Sequence, residues 1–226
     1  DPTLRDAGRQ PLLGAQLLDG ISDSAHLALE EIGRVAVADG GVGHLEHARD
    51  ALSEIARRTT LDAPPRDLGG WHSLLAGLTE FATRLEAKPV EGSLPADRAA
   101  RACADVAAHV RAANRILDTF TPWAADVLRV PVLPGSGTRD ALAPILSRVP
   151  SLEELADGMD EVLGLLDRVA ADGGDAGHWA AGTAERVRRG RQPSVALIAD
   201  LRLHAAMARE MWEHTDFGML FDPGRM

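Results

Sequence analysis

The chain has few of the residues that build strands and cross-links. Among its 226 residues there is one cysteine, Cys103, there is no tyrosine, and aromatic residues make up 4% of the total. A single cysteine excludes an internal disulfide, and its place on an apolar stripe indicates a small buried side chain rather than a nucleophile. Because strand-rich cores draw on aromatic and β-branched residues, this composition argues against a β-sheet core.

Long apolar runs and a basic surface are also missing. No stretch approaches the roughly eighteen apolar residues of a membrane span, so we expect a soluble piece that does not span a membrane. The formal net charge is −10, which argues against nucleic acid as a partner, since phosphate binding relies on concentrated Lys and Arg. The sequence does contain one basic cluster, which we interpret as a solvated helix end: Arg186, Arg188, Arg189 and Arg191.

What the chain does contain is apolar residues at helical spacing. They make up 45% of the sequence, and alanine and leucine, which supply much of this fraction, are the strongest helix formers. The clearest stripe, at intervals of three and four residues, is Ala99, Cys103, Val106, Val110, Ala113, Leu117 and Phe120. No strand-like alternation occurs before residue 216. The sequence therefore predicts an all-α fold, an antiparallel bundle of about seven to nine helices.

Capping residues, prolines and glycines predict where these helices begin and end. Ser22 or Ser24 is expected to cap the first long helix. Ser151 and Glu154 form a capping box in front of a helix that is predicted to run through Val169. After that, a short helix through Trp179, Thr183 and Val187 is predicted to precede a separate last helix from about residue 197.

A Pro- and Gly-rich stretch divides the sequence. Residues 130–137, which read VPVLPGSG, predict a break between two helical halves. We therefore predict an N-terminal helical bundle at 1–129 and a C-terminal helical bundle at 130–215. Two arrangements stay open: a single antiparallel bundle, or two sub-bundles that meet near residue 130.

Several residue patterns could carry chemistry, and each has a simpler interpretation. His44 and His47, with Glu46 between them, are one turn apart, but a metal site would need further ligands from other helices. Glu210 and His214 are also one turn apart, and an intrahelical hydrogen bond is the simpler interpretation.

Motif-like segments are likewise incomplete. Residues 216–218 spell the magnesium-binding Asp-Phe-Gly of protein kinases, but the other kinase motifs are absent from the sequence. The glycines at 40–43 and 135–137 are interpreted as turns, because neither segment follows a predicted strand or has the lysine of a phosphate loop. The carboxylates are predicted on outward helix faces rather than in a glycosidase pair. We predict no catalytic, cofactor-binding or metal-binding residue in this chain.

The four tryptophans fall into two groups. Trp71 and Trp212 lie on apolar stripes and are predicted to be core residues. Trp123 and Trp179 lie near predicted helix starts, where partial exposure is expected, and both are candidate contacts for a sugar or a protein partner.

The last helix leads without a glycine stop into an unusual order of residues: Asp216, Phe217, Leu220, Phe221, Asp222 and Arg225. This order resembles the join in the cyclic β-1,2-glucan synthases at which a long helix leads into a glucoamylase-like domain. Thr215 stands where that family usually has methionine, and the sequence stops at Met226, before the apolar strand that follows in the family. We therefore expect the chain to be a piece of a longer protein.

The resemblance implies that residues 216–226 begin a glucoamylase-like domain and that the helices before them are a scaffold or linker segment of a glycosyltransferase. Such a parent would be an inner-membrane enzyme that makes glucan from UDP-glucose and closes it into a ring, with this segment in the cytoplasm. The segment would meet glucan and UDP-glucose only through the parent, its partners would be the remaining domains of the parent, and it would hold no cofactor. The alternative that stays open is an independent helical protein-protein interaction module.

Overall fold

The computed structural model describes residues 9–38, 45–61, 63–87, 94–129, 131 and 136–214. Within these ranges the chain forms nine α-helices and no β-strand, which confirms the predicted all-α class. The helices are α1 Ala15–Ala38, α2 Glu46–Thr59, α3 Leu68–Ala87, α4 Leu94–Phe120, α5 Ala124–Val127, α6 Ser136–Ser147, α7 Leu152–Asp157, α8 Asp160–Ala171 and α9 Gly174–His214.

The four long N-terminal helices pack in a closed cycle. Helix α1 contacts α2 and α4, and α3 contacts the same two helices from the other side. Each helix turns its apolar stripe toward the centre, so that Val106, Val110 and Ala113 of α4 are fully buried. Cys103 is buried on the same stripe, as predicted, and burial raises the pKa of its thiol to about 11.

Helix α1 begins before the expected caps. It starts at Ala15 and runs through Gly20, so the prediction that Ser22 or Ser24 caps it is wrong. The Ser24 hydroxyl instead donates to the Gly20 carbonyl one turn back, at 2.8 Å, which is a common alternative for a serine inside a helix. Ile21 is buried, and such packing outweighs the cost of one glycine in a helix, about 1 kcal/mol.

The capping box at Ser151 is confirmed. The Glu154 N–H donates to the Ser151 hydroxyl at 3.2 Å, and the Ser151 N–H donates to the Glu154 carboxylate at 2.8 Å. The helix that it opens is shorter than predicted, because the chain breaks at Gly158 and restarts as α8. At this break the Gly158 N–H bonds the Glu154 carbonyl, and a Cβ on Gly158 would lie 2.8 Å from that oxygen.

The longest helix, α9, spans 41 residues and replaces the two helices predicted from the sequence. Gly173 and Gly174, with φ of 74° and 66°, turn the chain between α8 and α9 in a conformation that favours glycine. Pro193 lies inside α9 without ending it. Next to it, the Ser194 hydroxyl donates to the Gly190 carbonyl at 3.0 Å.

One hydrophobic cluster joins the two halves of the chain. It extends from Leu13 to Val187 and includes residues on both sides of residue 130. Helix α9 contacts α4, while α5 and α6 contact α3. Residues 130 and 132–135 of the expected break lie outside the described ranges, and the boundary between 1–129 and 130–215 stays a prediction.

Candidate functional site

Helix α9 has a buried stripe that ends at Ile198, and its side chains are exposed beyond that residue. Its first part, residues 174–198, is the docked half, whose stripe through Ala180, Val187 and Ser194 is buried; α9 packs on α4, α7 and α8. Its second part, residues 199–214, is the projecting half, in which every side chain is exposed except the half-buried Ala205. At about 1.5 Å per residue, the projecting half is a rod about 24 Å long.

Three arginines fix the docked half to its neighbours. Each one reaches an aspartate on another helix, and the pairs are Arg186–Asp126 on α5 (2.6 Å), Arg188–Asp167 on α8 (2.7 Å) and Arg191–Asp160 on α8 (2.5 Å). The interpretation of this cluster as a solvated helix end is therefore wrong, since the helix continues well past it. The Arg188 and Arg191 pairs are exposed, and such pairs contribute only about 0–1 kcal/mol each. The Arg186–Asp126 pair is partly buried, since the Asp126 side chain is 18% exposed.

A close crossing holds α9 against the end of α4. A Cβ on Gly190 would lie 2.5 Å from the Phe120 carbonyl oxygen and 3.0 Å from the Trp123 ring. Trp123 lies on the buried side of this crossing. It is 1% exposed, and its indole N–H donates to the Leu146 carbonyl at 3.2 Å. The expected partial exposure of Trp123 is wrong, because its place at a helix start lies within the core, and a buried indole offers no surface to a sugar or a partner.

The other three tryptophans differ from one another. Trp71 is fully buried, as predicted. Trp212 was also expected in the core but is 68% exposed, because the projecting half extends beyond the packed part of α9. Trp179 is half-buried at the edge of the hydrophobic cluster, and its role as a sugar or partner contact stays a prediction.

Of the two histidines considered as metal ligands, His44 and His47, the structure describes only His47. His44 lies outside the described residues, and His47 is half-buried near the start of α2. No group of three or more potential metal ligands occurs among the described residues. His214 Nδ1 lies 2.8 Å from the Glu210 backbone carbonyl, so the predicted contact between these residues is an intrahelical hydrogen bond to the main chain.

A surface groove between α2 and α3 has a volume of about 360 Å³. Its lining includes Asp50, Phe81 and Arg84. The guanidinium carbons of Arg58 and Arg84 lie 4.9 and 5.1 Å from the centre of the Phe81 ring. Cations therefore already occupy the π-system on which a sugar would stack.

Asp216, Phe217, Leu220, Phe221, Asp222 and Arg225 all lie outside the described residues. The last described residue is His214, at the end of the projecting half. Among the helices that the structure describes, none has both the length and the apolar character that a bilayer crossing requires.

The fold and this site define a helical bundle that carries a long projecting helix. No family model, no curated protein and no solved structure matches the chain. Sequence reasoning missed the three arginine-aspartate pairs, because the aspartates are distant in the sequence. It also missed the close approach at Gly190, because other helical glycines, such as Gly20 and Gly182, meet no backbone atom of another helix.

Proposed function

We propose that this chain is the helical scaffold segment of a larger glycosyltransferase similar to the cyclic β-1,2-glucan synthases. The observation that carries the proposal is the form of α9, which is fixed in the bundle over its first half and projects over its second. The helix reaches residue 214, just before the motif that begins at Asp216. A rod fixed at one end sets the distance and the direction of the segment it carries.

The anchoring of α9 supports a stiff connection rather than a flexible one. A flexible linker is a coil rich in Gly and Ser, whereas 199–214 is helical throughout. The docked half is held by its buried stripe, by the close crossing at Gly190 and by ion pairs from Arg186, Arg188 and Arg191. Together these contacts resist both rotation and sliding of the helix.

In this proposal the transfer of glucose from UDP-glucose and the closing of the ring take place elsewhere in the parent protein. The segment fixes how a glucoamylase-like domain beginning near Asp216 is held relative to what precedes it. A growing glucan must pass from the site that extends it to the site that closes it. A fixed spacing would therefore favour cyclic over linear product.

The scaffold role is tested in the full-length parent protein by breaking the projecting half. Ala206 is exposed in the middle of this half, and proline there removes a helical hydrogen bond and clashes with the preceding turn, at a cost of about 3 kcal/mol. We expect Ala206→Pro to reduce cyclic glucan made from UDP-glucose, whereas the control Ala206→Gln keeps the helix and the product. Products are separated by chromatography into linear and cyclic fractions.

Two outcomes would contradict the proposal at different levels. If the full-length wild-type protein makes no glucan from UDP-glucose, the assignment of the parent is wrong. If Ala206→Pro, or a chain that starts near Asp216 and lacks these helices, forms cyclic glucan as well as the wild type, the scaffold role is wrong.

The alternative, an independent protein-protein interaction module, is favoured by a different feature of the same helix. Leu203 and Met207 of the projecting half are 58% and 51% exposed, and large apolar side chains on a surface often mark a contact with another protein. The alternative predicts that the 226-residue chain alone binds a separate protein and that the parent gene encodes no glycosyltransferase.

A further inference from the structure

The projecting half contains two histidines, and each of them follows a carboxylate by four positions. Asp200 precedes His204, and Glu210 precedes His214. Residues four apart are neighbours on one side of a helix, with their Cβ atoms about 5–6 Å apart. No other charged residue lies three or four positions from either histidine. Each histidine therefore has a single charged neighbour along the helix, and that neighbour is acidic.

These four side chains are exposed to solvent. In the described part of the chain, none of them makes a hydrogen bond or an ion pair with another helix. The other charged residues of the projecting half are Arg202, Arg209 and Glu213, and they lie at least about 100° around the helix from either imidazole. The charge of each histidine is therefore felt mainly by its own carboxylate and by the helix backbone.

A change of pH alters the interaction within each pair. Histidine is the side chain that ordinarily changes its charge between pH 5 and 8, a range in which Asp and Glu are ordinarily ionised. In mild acid the two members of each pair thus have opposite charges, with the carboxylate nearer the helix N-terminus, which is the more favourable order. One such pair shifts the equilibrium between helix and coil toward helix by about a factor of two. Above about pH 8 the imidazole is neutral, and this attraction is lost.

His214 adds a second effect, because it lies in the last turn of α9. Its Nδ1 lies 2.8 Å from the Glu210 carbonyl oxygen. A protonated imidazole has a hydrogen on both ring nitrogens, so Nδ1 then always donates to that carbonyl. A positive charge at the C-terminal end also interacts favourably with the helix dipole, which favours the helix by about a factor of two to five. Both contributions act in the same direction as the two pairs.

The projecting half can respond to effects of this size because little packing holds it in the helical state. Its side chains are exposed except for the half-buried Ala205, and a helix of this length without tertiary contacts is marginal in water. The docked half, in contrast, has a buried stripe. A charge change at His178, which is exposed on the docked half, should therefore have little effect on its helix content.

We propose that the projecting half is a pH-sensitive helix, more helical and therefore stiffer in mild acid than above neutral pH. Protonation of His204 and His214 drives the change. Below about pH 4 the carboxylates are themselves neutralised, so the helix content is highest near about pH 5–6. This inference goes beyond the proposed function and does not depend on it, since it concerns the 226-residue chain alone.

Amide hydrogen exchange in the 226-residue chain measures the helix content of 199–214. After correction for the intrinsic pH dependence of exchange, we expect these amides to be about three- to tenfold better protected at about pH 5.5 than at about pH 8. His204→Gln together with His214→Gln should remove this difference. His178→Gln, in the docked half of the same helix, is the matched control and should keep it.

A second pair of substitutions tests the role of the carboxylates. Asp200→Asn together with Glu210→Gln keeps both histidines and removes their charged neighbours. We expect a smaller pH dependence than in the wild type, because only the effects of His214 on the helix end remain. High salt should also reduce the pH dependence of the wild type, since it screens exposed charges. A pH dependence as large in this variant as in the wild type would overturn the pairing.

Two other results would overturn the inference as a whole. One is protection of 199–214 that is equal at the two pH values, or greater at the higher one, in the wild type. The other is a pH dependence that persists when both histidines are replaced, since it would then come from other groups. Exchange of 174–198 in the same samples shows that the bundle is folded in each variant, so neither result can arise from general unfolding.

Discussion

Replacing Gly190 by alanine tests the crossing that anchors α9. A Cβ at this position would lie 2.5 Å from the Phe120 carbonyl oxygen, 2.9 Å from Pro122 Cδ and 3.0 Å from the Trp123 ring. These groups belong to the backbone, a proline ring and a buried indole, so none of them can swing aside as a lysine or arginine side chain can. The helix or the end of α4 must therefore move.

Two opposing contributions determine how much Gly190→Ala changes the free energy of unfolding. Overpacking of this kind costs about 1–3 kcal/mol, and the backbone contact places Gly190→Ala near the top of that range. Alanine regains about 1 kcal/mol of helix propensity over glycine. The net change in the free energy of unfolding is a loss of about 2 kcal/mol.

Gly182 provides a matched control in the same helix. A Cβ there would meet only the end of the Arg186 side chain, at an ordinary 3.5 Å. Gly182→Ala should therefore stabilise the chain by up to about 1 kcal/mol, so that the two variants differ by about 3 kcal/mol. Urea unfolding followed by far-UV circular dichroism measures both. If Gly190→Ala stabilises the chain as much as Gly182→Ala does, α9 does not cross α4 as closely as described.

Three further predictions concern Glu54, Trp123 and Ser151. Hydrogen bonds from Arg57 and Arg58 lower the pKa of Glu54 from 4.5 to about 2, so its contribution to stability is complete above pH 4.5 and is lost as the pH falls toward 2. Thermal unfolding of Glu54→Gln should lack this part of the acid dependence. Trp123→Phe opens a small cavity and leaves the buried Leu146 carbonyl without its donor, so urea unfolding should show a loss of about 2–4 kcal/mol. Ser151→Ala removes the cap of α7 and should cost about 1 kcal/mol in the same assay.

Each of these predictions has a control or an outcome that contradicts it. If the stability of Glu54→Gln falls with acid in parallel with the wild type, Glu54 is not the responsible group. Trp71→Phe is the control for Trp123→Phe, because Trp71 is equally buried but its indole N–H has no hydrogen-bond partner in the described structure. Equal losses in the two variants would mean that the Trp123 hydrogen bond contributes nothing. For Ser151, a threonine replacement should restore the cap that alanine removes.

Features that depend on neighbours in the sequence could be predicted from it. The capping box at Ser151 needs only Glu154 three residues later, and the turn after α8 needs only Gly173 and Gly174. The α4 stripe through Val106 and Val110 follows from helical periodicity alone. These signals are local, and the packing that surrounds them does not change them.

Features that depend on distant parts of the chain could not be predicted. A run of arginines looks like a solvated helix face, and only the fold shows that Asp126, Asp160 and Asp167 lie opposite it. The burial of Trp123 likewise depends on Leu146 and Gly190, 23 and 67 positions further along. The motif from Asp216 onward could be interpreted only through a family resemblance, and it lies outside the described residues.

Pro193 lies between the two helices predicted from the sequence, where the structure has a single helix, and it gives a last test. Proline lacks the N–H that would bond the carbonyl of residue 189, and its ring presses on that carbonyl. The helix continues nevertheless, since buried residues lie on both sides of Pro193, Gly190 before it and Ser194 and Ile198 after it.

Pro193→Ala should therefore raise the free energy of unfolding, by up to about 3 kcal/mol. Urea unfolding measures the gain, and Pro144→Ala in α6, a shorter helix that also has an internal proline, allows a comparison. If Pro193→Ala left stability unchanged or lowered it, α9 would be two helices that meet at Pro193, and the docked half would not direct the projecting half as one rod.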